Sequence, residues 1–438
     1  MGRIDTSRGY ARGVQSAVYR AGVSGTRPAV PTTFAGLEAA ARAALGAEEF
    51  AYLAGGAGAE HTMTANTDGF AAWGILPRVL RDVRERDLSI ELFGKRRATP
   101  FYLSPIGVLE LAHPDADVAV GRAAAALDVP YALSNQASKP MEEVAAAMGE
   151  GSRWFQLYWS SSDELNASLL ARAEAAGAEA ILITLDTHLL GWRTRDLDLG
   201  FLPFTRGQGI AQYTSDPVFA ELVRERVRSG AIGDPSAPPV KVTPRAIRTA
   251  LGIARRGART ALVDGGALDA LRSPLPRAAV ETFLDVFADP GLTWERLARV
   301  RELTSLPVVL KGIVHPDDAE RAVEAGFDGV VVSNHGGRQI DRSVATIAAL
   351  PGVVERVAGR IPVLFDSGLR GGADAVIALA LGATAVGIGR PYAYGLGIAG
   401  ATGVGEVVRN FIAELDATLA LAGATRIGDL GPGTLRAV

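Results

Sequence analysis

The run Val330-Val331-Val332-Ser333-Asn334-His335-Gly336-Gly337-Arg338-Gln339-Ile340-Asp341 sets a histidine and an arginine at the end of a stretch too apolar to lie outside a core. Histidine titrates near neutrality and can serve as a base. Gly336 and Gly337 permit backbone angles that other residues resist, so one turn can present His335 and Arg338 to the same side. The stretch also allows a plainer arrangement, in which His335 caps a strand and Arg338 pairs with Asp341. Charged groups cluster at active sites without being confined to them.

The elements that must position these residues decide between the two. From residue 100 onward, β-rich runs alternate with alanine-rich helical segments: Phe101–Ser104, Tyr131–Asn135, Trp154–Tyr158, Ala180–Asp186, Leu306–Gly312, Gly329–Asn334, Pro362–Gly368 and Ala385–Arg390. Strand and helix alternating eight times predicts a closed parallel (β/α)8 TIM barrel. No G-x-G-x-x-G follows the first run, which argues against a dinucleotide-binding open sheet. Residues 34–54 have helical spacing ending at Gly55-Gly56-Ala57-Gly58, with Tyr52 just before the turn, and form an N-terminal helical extension. In the polar approach after this turn, Trp73, Leu76, Pro77 and Leu80 are expected as anchors. Residues 1–33, arginine-rich and punctuated by Gly and Ser, read as a loosely ordered arm. The domain is therefore expected over 34–438, with one long insertion, 187–292, after strand four. A break of that length usually forms a functional lid or is partly disordered. Arg193 leaves the strand-four rim within it, and 233–245 reads as exposed linker.

Composition narrows the partners. Lys plus Arg is 45 against 48 for Asp plus Glu, a net charge of -3, too balanced for nucleic acid or an anionic membrane as the main partner. No apolar run reaches the ~18 residues of a membrane helix. Cysteine is absent, which removes disulfides and thiolate chemistry, and without a secretory apolar region the expected compartment is cytoplasmic. No metal site is expected.

In such barrels the carboxyl ends of the strands form the active face. Lys311, His335, Arg338, Arg370 and Arg390 all fall there. Clustered cations repel one another unless an anion joins them. Asp366-Ser367-Gly368-Leu369-Arg370-Gly371-Gly372 and Gly387-Ile388-Gly389-Arg390 suit a phosphate, held by glycine backbone, arginine and a helix start. Lys311 either stabilises negative charge on a planar ring, opposite Ile106-Gly107, or merely pairs with Asp366.

Taken together, Ser333-Asn334-His335-Gly336-Gly337-Arg338-Gln339, Phe155-Gln156-Leu157-Tyr158, Leu310-Lys311-Gly312, Asp366-Ser367-Gly368-Leu369-Arg370 and Gly389-Arg390-Pro391 resemble the FMN-dependent L-2-hydroxy-acid oxidising enzymes. Ser104-Pro105-Ile106-Gly107, Thr184-Leu185-Asp186-Thr187, the 191–197 stretch and the 213–219 stretch most resemble the L-lactate 2-monooxygenase branch. The resemblance implies FMN as cofactor and oxidation of L-lactate or a related L-2-hydroxy acid, with retained peroxide decarboxylating the keto acid. The alternatives are a peroxide-releasing oxidase and a quinone-linked dehydrogenase, and, disfavoured by the full set of His335, Arg338, Arg193 and both tyrosines, an FMN-binding barrel without turnover. It implies His335 as the base, held by Asp186, with Arg193 and Arg338 clamping the substrate carboxylate and Tyr52 and Tyr158 hydrogen-bonding the substrate. FMN would be held by Pro105, Ile106, Gly107, Ser134, Gln156, Thr184, Lys311, Ser333, Asp366, Ser367, Gly368, Arg370, Gly389 and Arg390. The implied partners are a small 2-hydroxy acid and O2, and the implied assembly is a homotetramer or homo-octamer. Glycine at 107, where other branches carry alanine, would open room for oxygen beside the ring. His188, the 198–212 segment and Asn135-Gln136 depart from the family patterns, which leaves side-chain specificity open to a substrate larger than lactate.

Overall fold

The computed structural model describes residues 9–233, 241–258, 260, 262–263 and 266–438. Eight parallel strands close a barrel in chain order: β1 (Phe101–Leu103), β2 (Tyr131–Ser134), β3 (Arg153–Tyr158), β4 (Ile181–Thr184), β5 (Val308–Ile313), β6 (Gly329–Val332), β7 (Val363–Phe365) and β8 (Ala385–Ile388), which pairs back to β1. Each coincides with a run read from the sequence.

The period-two alternation of strand side chains explains how one sequence fills the barrel and also builds a site. Tyr102, Ala132, Trp154, Leu182, Val309, Val331 and Leu364 pack together inside it. Two residues further along the same face come Ser104, Ser134, Gln156, Thr184, Lys311, Ser333 and Asp366. The apolar layer is therefore the floor beneath a polar rim. The opposite face, with Leu103, Leu133, Phe155, Ile183, Leu310, Val332 and Phe365, is buried under the outer helices. A hairpin, Ile90–Leu92 with Lys95–Arg97, plugs the other end, placing Leu92 in the interior cluster and Phe93 edge-on to Trp154 at 5.7 Å.

Several expectations are corrected. The arm is not loose from Tyr10 on. Helix α1 (Tyr10–Val23) packs Ala11 and Val14 against Ala413 of the C-terminal helix Arg390–Leu421. Apolar residues three apart give it a seam, and the Ala11 amide and Arg86 both donate to buried Asp416. Residues 34–54 form two helices, α2 (Phe34–Ala44) and α3 (Ala47–Ala54), because Leu45 and Gly46 between them are extended. Leu76, Pro77 and Leu80 are exposed and anchor nothing, whereas Trp73 is half-buried in a short strand paired with Leu435–Ala437. After α3 comes α4 (His61–Asp68).

The insertion after β4 is helical rather than irregular, with Pro217–Arg228, Pro244–Gly257 and Leu275–Val286 as its longest helices. Pro217–Arg228 packs on the barrel helix Asp163–Ala175. Asp216 caps it, accepting from the Val218 and Phe219 amides, and pairs at 3.1 Å with Arg172. Of the expected linker, residues 234–240 lie outside the described residues, and Pro244 and Arg245 begin a helix capped by Thr243. Among the described residues no helix is long and apolar enough to cross a membrane.

Candidate active site

The polar rim opens on a cavity of about 1000 Å³, its solvent-filled mouth included. His335 stands at its wall on the turn after β6, with φ of 58°. A non-glycine residue held in the left-handed region is strained, and such strain concentrates at functional sites. Its Nδ1 lies 2.8 Å from Asp186 Oδ1, and its Nε2 lies 3.4 Å from the Tyr158 hydroxyl. With the proton on Nδ1, donated to the carboxylate, Nε2 keeps a lone pair facing the cavity. Burial lowers the His335 pKa below its ordinary 6.5, against the opposing pull of Asp186. Burial by itself would raise Asp186, but His335 and Lys311 outweigh it and bring its pKa to about 2. The pair therefore rests as carboxylate and neutral imidazole. Burial raises the Tyr158 hydroxyl, keeping it a proton donor.

Arg338 does not pair with Asp341. It donates to the backbone oxygens of Tyr52 and Gly55, each at 2.7 Å, while Asp341 binds His61 at 3.0 Å and the amides of Ala59 and Thr62. Burial, reinforced by Arg193, lowers the Arg338 pKa to about 9, so it stays cationic at neutrality. Arg193 reaches in from the insertion, its guanidinium 5.9 Å from the Tyr52 ring centre and that of Arg338 5.1 Å from it. Both arginines and both tyrosines border the cavity with His335.

Two residues of this constellation escaped the sequence reading. Thr187 donates to Asp186 Oδ1 at 2.9 Å and lies 3.2 Å from His335 Nδ1, completing the clasp on the imidazole. Gln339 accepts from Arg193 at 3.1 Å and donates to the backbone oxygens of Asp186 and Leu189. Both stand inside motifs already singled out, but polar residues beside a charged group carry no signal until their direction is known.

The predicted cofactor residues divide into two sets. Pro105, Ile106, Gly107, Lys311, Asp366, Ser367, Gly368, Arg370, Gly389 and Arg390 border the cavity. Ser134, Gln156, Thr184 and Ser333 are buried at the strand ends without bordering it. Lys311 donates to Ser333 Oγ at 2.9 Å and lies 3.5 Å from Asp366, so the pairing and the cavity-facing position coexist. Gly107 has a packing reason for being glycine. A Cβ there would lie 3.0 Å from Gln136 Cβ and 3.2 Å from its carbonyl oxygen, so Gln136 would have to give way by a few tenths of an ångström.

Part of the expected phosphate cradle is already occupied. At the helix Gly372–Ala380, the Arg370 and Gly372 amides are already taken by Asp374 and Glu414. Arg390–Leu421 instead begins at the cavity wall with Gly389 and Arg390. A helix start there offers amides and a positive dipole to a phosphate.

The residues fit FMN. Gln156 Nε2, Thr184 Oγ1, Arg370 Nε and Arg390 Nε are buried without a hydrogen-bond partner. Buried polar groups left unmatched cost stability, so such a set marks where a polar group docks. A heteroaromatic ring with carbonyl edges and a phosphate tail supplies the missing acceptors. The phosphate also supplies the anion that Arg370 and Arg390 lack.

Comparison with known proteins agrees. The FMN-dependent dehydrogenase family matches residues 41–437. An FMN-dependent alpha-hydroxy acid dehydrogenase of Penicillium citrinum is 39% identical over 425 residues, covering 97% of this chain and 95% of that protein. An L-lactate oxidase of Lysinibacillus sphaericus is 38% identical over 410 residues, covering 92% of each. A crystal structure of mandelate oxidase with (S)-4-hydroxymandelic acid superposes with a TM-score of 0.74 at 35% identity, covering 93% of this chain and 98% of the other. Barrel, rim and matched family together establish that the chain belongs to the FMN-dependent dehydrogenases and takes FMN as its cofactor.

Proposed function

We propose that the protein oxidises an L-2-hydroxy acid to its 2-keto acid, with His335 as the base. The observation that carries this reading is the chain Asp186–His335–Tyr158 bordering one cavity together with Arg193 and Arg338. FMN would be held at its ring by Gln156, Thr184 and Lys311, with Ser134 and Ser333 behind them, and at its phosphate by Arg370, Gly389 and Arg390. Bound FMN supplies the two-electron acceptor.

The substrate carboxylate is taken by Arg193 and Arg338, whose planar guanidinium groups suit bidentate pairing better than ammonium groups would. Tyr52 and Tyr158 donate hydrogen bonds to carboxylate and hydroxyl oxygens and orient the hydroxyl-bearing carbon. His335 Nε2 takes a proton, from the hydroxyl if hydrogen leaves carbon as hydride, or from carbon if a carbanion forms. The ionised Asp186 stabilises the resulting imidazolium through Nδ1 and keeps the ring in its working tautomer. Leu53, Phe204 and Phe287 border the same cavity and leave an apolar seat for the substrate side chain.

The reading is tested by mixing the yellow protein anaerobically with a panel of L-2-hydroxy acids. Bleaching by at least one supports it, and an unchanged spectrum across the panel refutes it. A second reading concerns the fate of the keto acid in air. The insertion contributes Leu190, Arg193, Phe204 and Phe287 to the cavity wall, which supports retention of the keto acid until peroxide decarboxylates it. Shortened acid and carbon dioxide as products support that outcome, and equal amounts of keto acid and peroxide identify an oxidase.

A further inference from the structure

We propose that Asn66, on α4 outside the barrel, is a positioning residue for the base, holding the turn that carries His335 through a closed amide pair with Asn334. The inference rests on reading His335 as the base. Asn66 Nδ2 donates to Asn334 Oδ1 at 2.7 Å, and Asn334 Nδ2 donates back to Asn66 Oδ1 at 2.8 Å. Asn334 uses its remaining capacity as well, and Asn66 Oδ1 its second lone pair. Asn334 Oδ1 accepts from the Gly337 amide at 3.2 Å, Asn334 Nδ2 donates to the Val344 oxygen at 3.1 Å, and Asn66 Oδ1 accepts from the Thr346 amide at 3.1 Å. Asn66 is 1% exposed and Asn334 7%.

Such a lock has a task here. His335, Gly336 and Gly337 follow one another with φ of 58°, 65° and 75°, three successive residues in the left-handed region. A turn of that kind persists only where its surroundings over-determine it. The turn lies against α4 so closely that a Cβ on Gly337 would be 2.6 Å from the Met63 nitrogen. Thr62, one helical turn before Asn66, closes the far end of the loop. Its hydroxyl donates to the Ile340 oxygen and accepts from the Ser343 amide. Asn66 also reaches the cofactor side, because Thr346, whose amide it binds, donates through its hydroxyl to the Ser367 oxygen at 2.8 Å. One asparagine on a helix remote from the chemistry thus braces the loops after β6 and β7.

The test uses FMN-loaded Asn66→Ala and Asn66→Asp beside the wild type. Asn66→Asp keeps both accepted hydrogen bonds and sets a buried carboxylate oxygen against Asn334 Oδ1 in place of the donated one. Amide hydrogen exchange over residues 334–342 reads the lock directly, and anaerobic single-turnover flavin reduction by the fastest-reacting L-2-hydroxy acid reads its effect on the base. Exchange is expected to accelerate in both variants. Reduction should slow on the order of 100-fold in Asn66→Ala, the scale of a catalytic group displaced by about 1 Å, and should slow in Asn66→Asp as well. The acid limb of the rate should also move up toward the ordinary histidine range as the loosened ring gains water. Unchanged exchange, or a wild-type rate in a folded, FMN-loaded variant, overturns the proposal. Should Asn66→Ala fail to fold, Asn66→Asp decides by the same two criteria. A wild type that no hydroxy acid reduces would refute the functional reading instead, and exchange would then decide whether Asn66 holds the turn.

Discussion

The two sides of the cavity are built on different principles. On the strand-end side, Ser104, Lys311, Ser333 and Asp366 sit two residues beyond the apolar floor, so the pleat of the barrel fixes where each points. On the insertion side, Arg193, Phe204 and Phe287 come from a helical segment pinned to the barrel at a few places, among them Asp216 with Arg172 and Gln339 with the 186–189 backbone. The first side carries the residues that would hold FMN and base. The second carries Arg193, half of the proposed carboxylate clamp, and Leu190, Phe204 and Phe287 of the apolar lining. Chemistry thus rests on the rigid lattice, and fit to a substrate on an appendage that can vary without disturbing it.

That division can be broken at chosen points. The largest effect on binding is expected from Arg338→Ala, which removes one of the two cations that would face the substrate carboxylate. KM should rise on the order of 100-fold, the usual loss for one member of a desolvated charge pair, as steady-state kinetics would show. On stability, Asp216→Ala leaves Arg172 without its buried partner and uncaps Pro217–Arg228, and should cost about 3 kcal/mol or more in denaturant unfolding. Phe204→Ala should change the preference between long and short hydroxy acids by about 10-fold in kcat/KM while leaving the rate of flavin reduction by the smallest substrate nearly constant. The smallest and most diagnostic effect is in pH dependence. His335 acts when neutral, and burial lowers its pKa, so reduction should persist at pH 6.5 and fail only on further acidification. Asp186→Asn removes the group that opposes burial, so its acid limb should move to still lower pH while the overall rate falls.

The barrel was legible because each strand writes its burial as an apolar run and each outer helix its alanine-rich seam. His335, Arg338 and Lys311 were legible for a related reason, since charged residues at the ends of such runs have one face to occupy. The rest depended on contacts between residues far apart in the chain. Nothing near Tyr10 announces that Asp416 will accept the Ala11 amide, so α1 looked like a tail. Gly107 reads in sequence as room for oxygen, and only the fold shows that Gln136 gives it a packing reason as well. Arg370 and Gly371-Gly372 looked like an open helix start, but Asp374 and Glu414 already occupy the amides there. Thr187 and Asn66 belong to the same class, ordinary polar residues whose role lies in the partner they meet.

The central claim is that His335, oriented by Asp186, removes the proton that allows the hydroxy acid to reduce the flavin. Its most direct test is the rate of anaerobic flavin reduction in FMN-loaded His335→Ala, compared with wild type at saturating L-2-hydroxy acid. The account predicts a loss of roughly 10²- to 10⁴-fold, the range general-base catalysis supplies, with the yellow oxidised spectrum and FMN content unchanged. Reduction at the wild-type rate in that variant would contradict it.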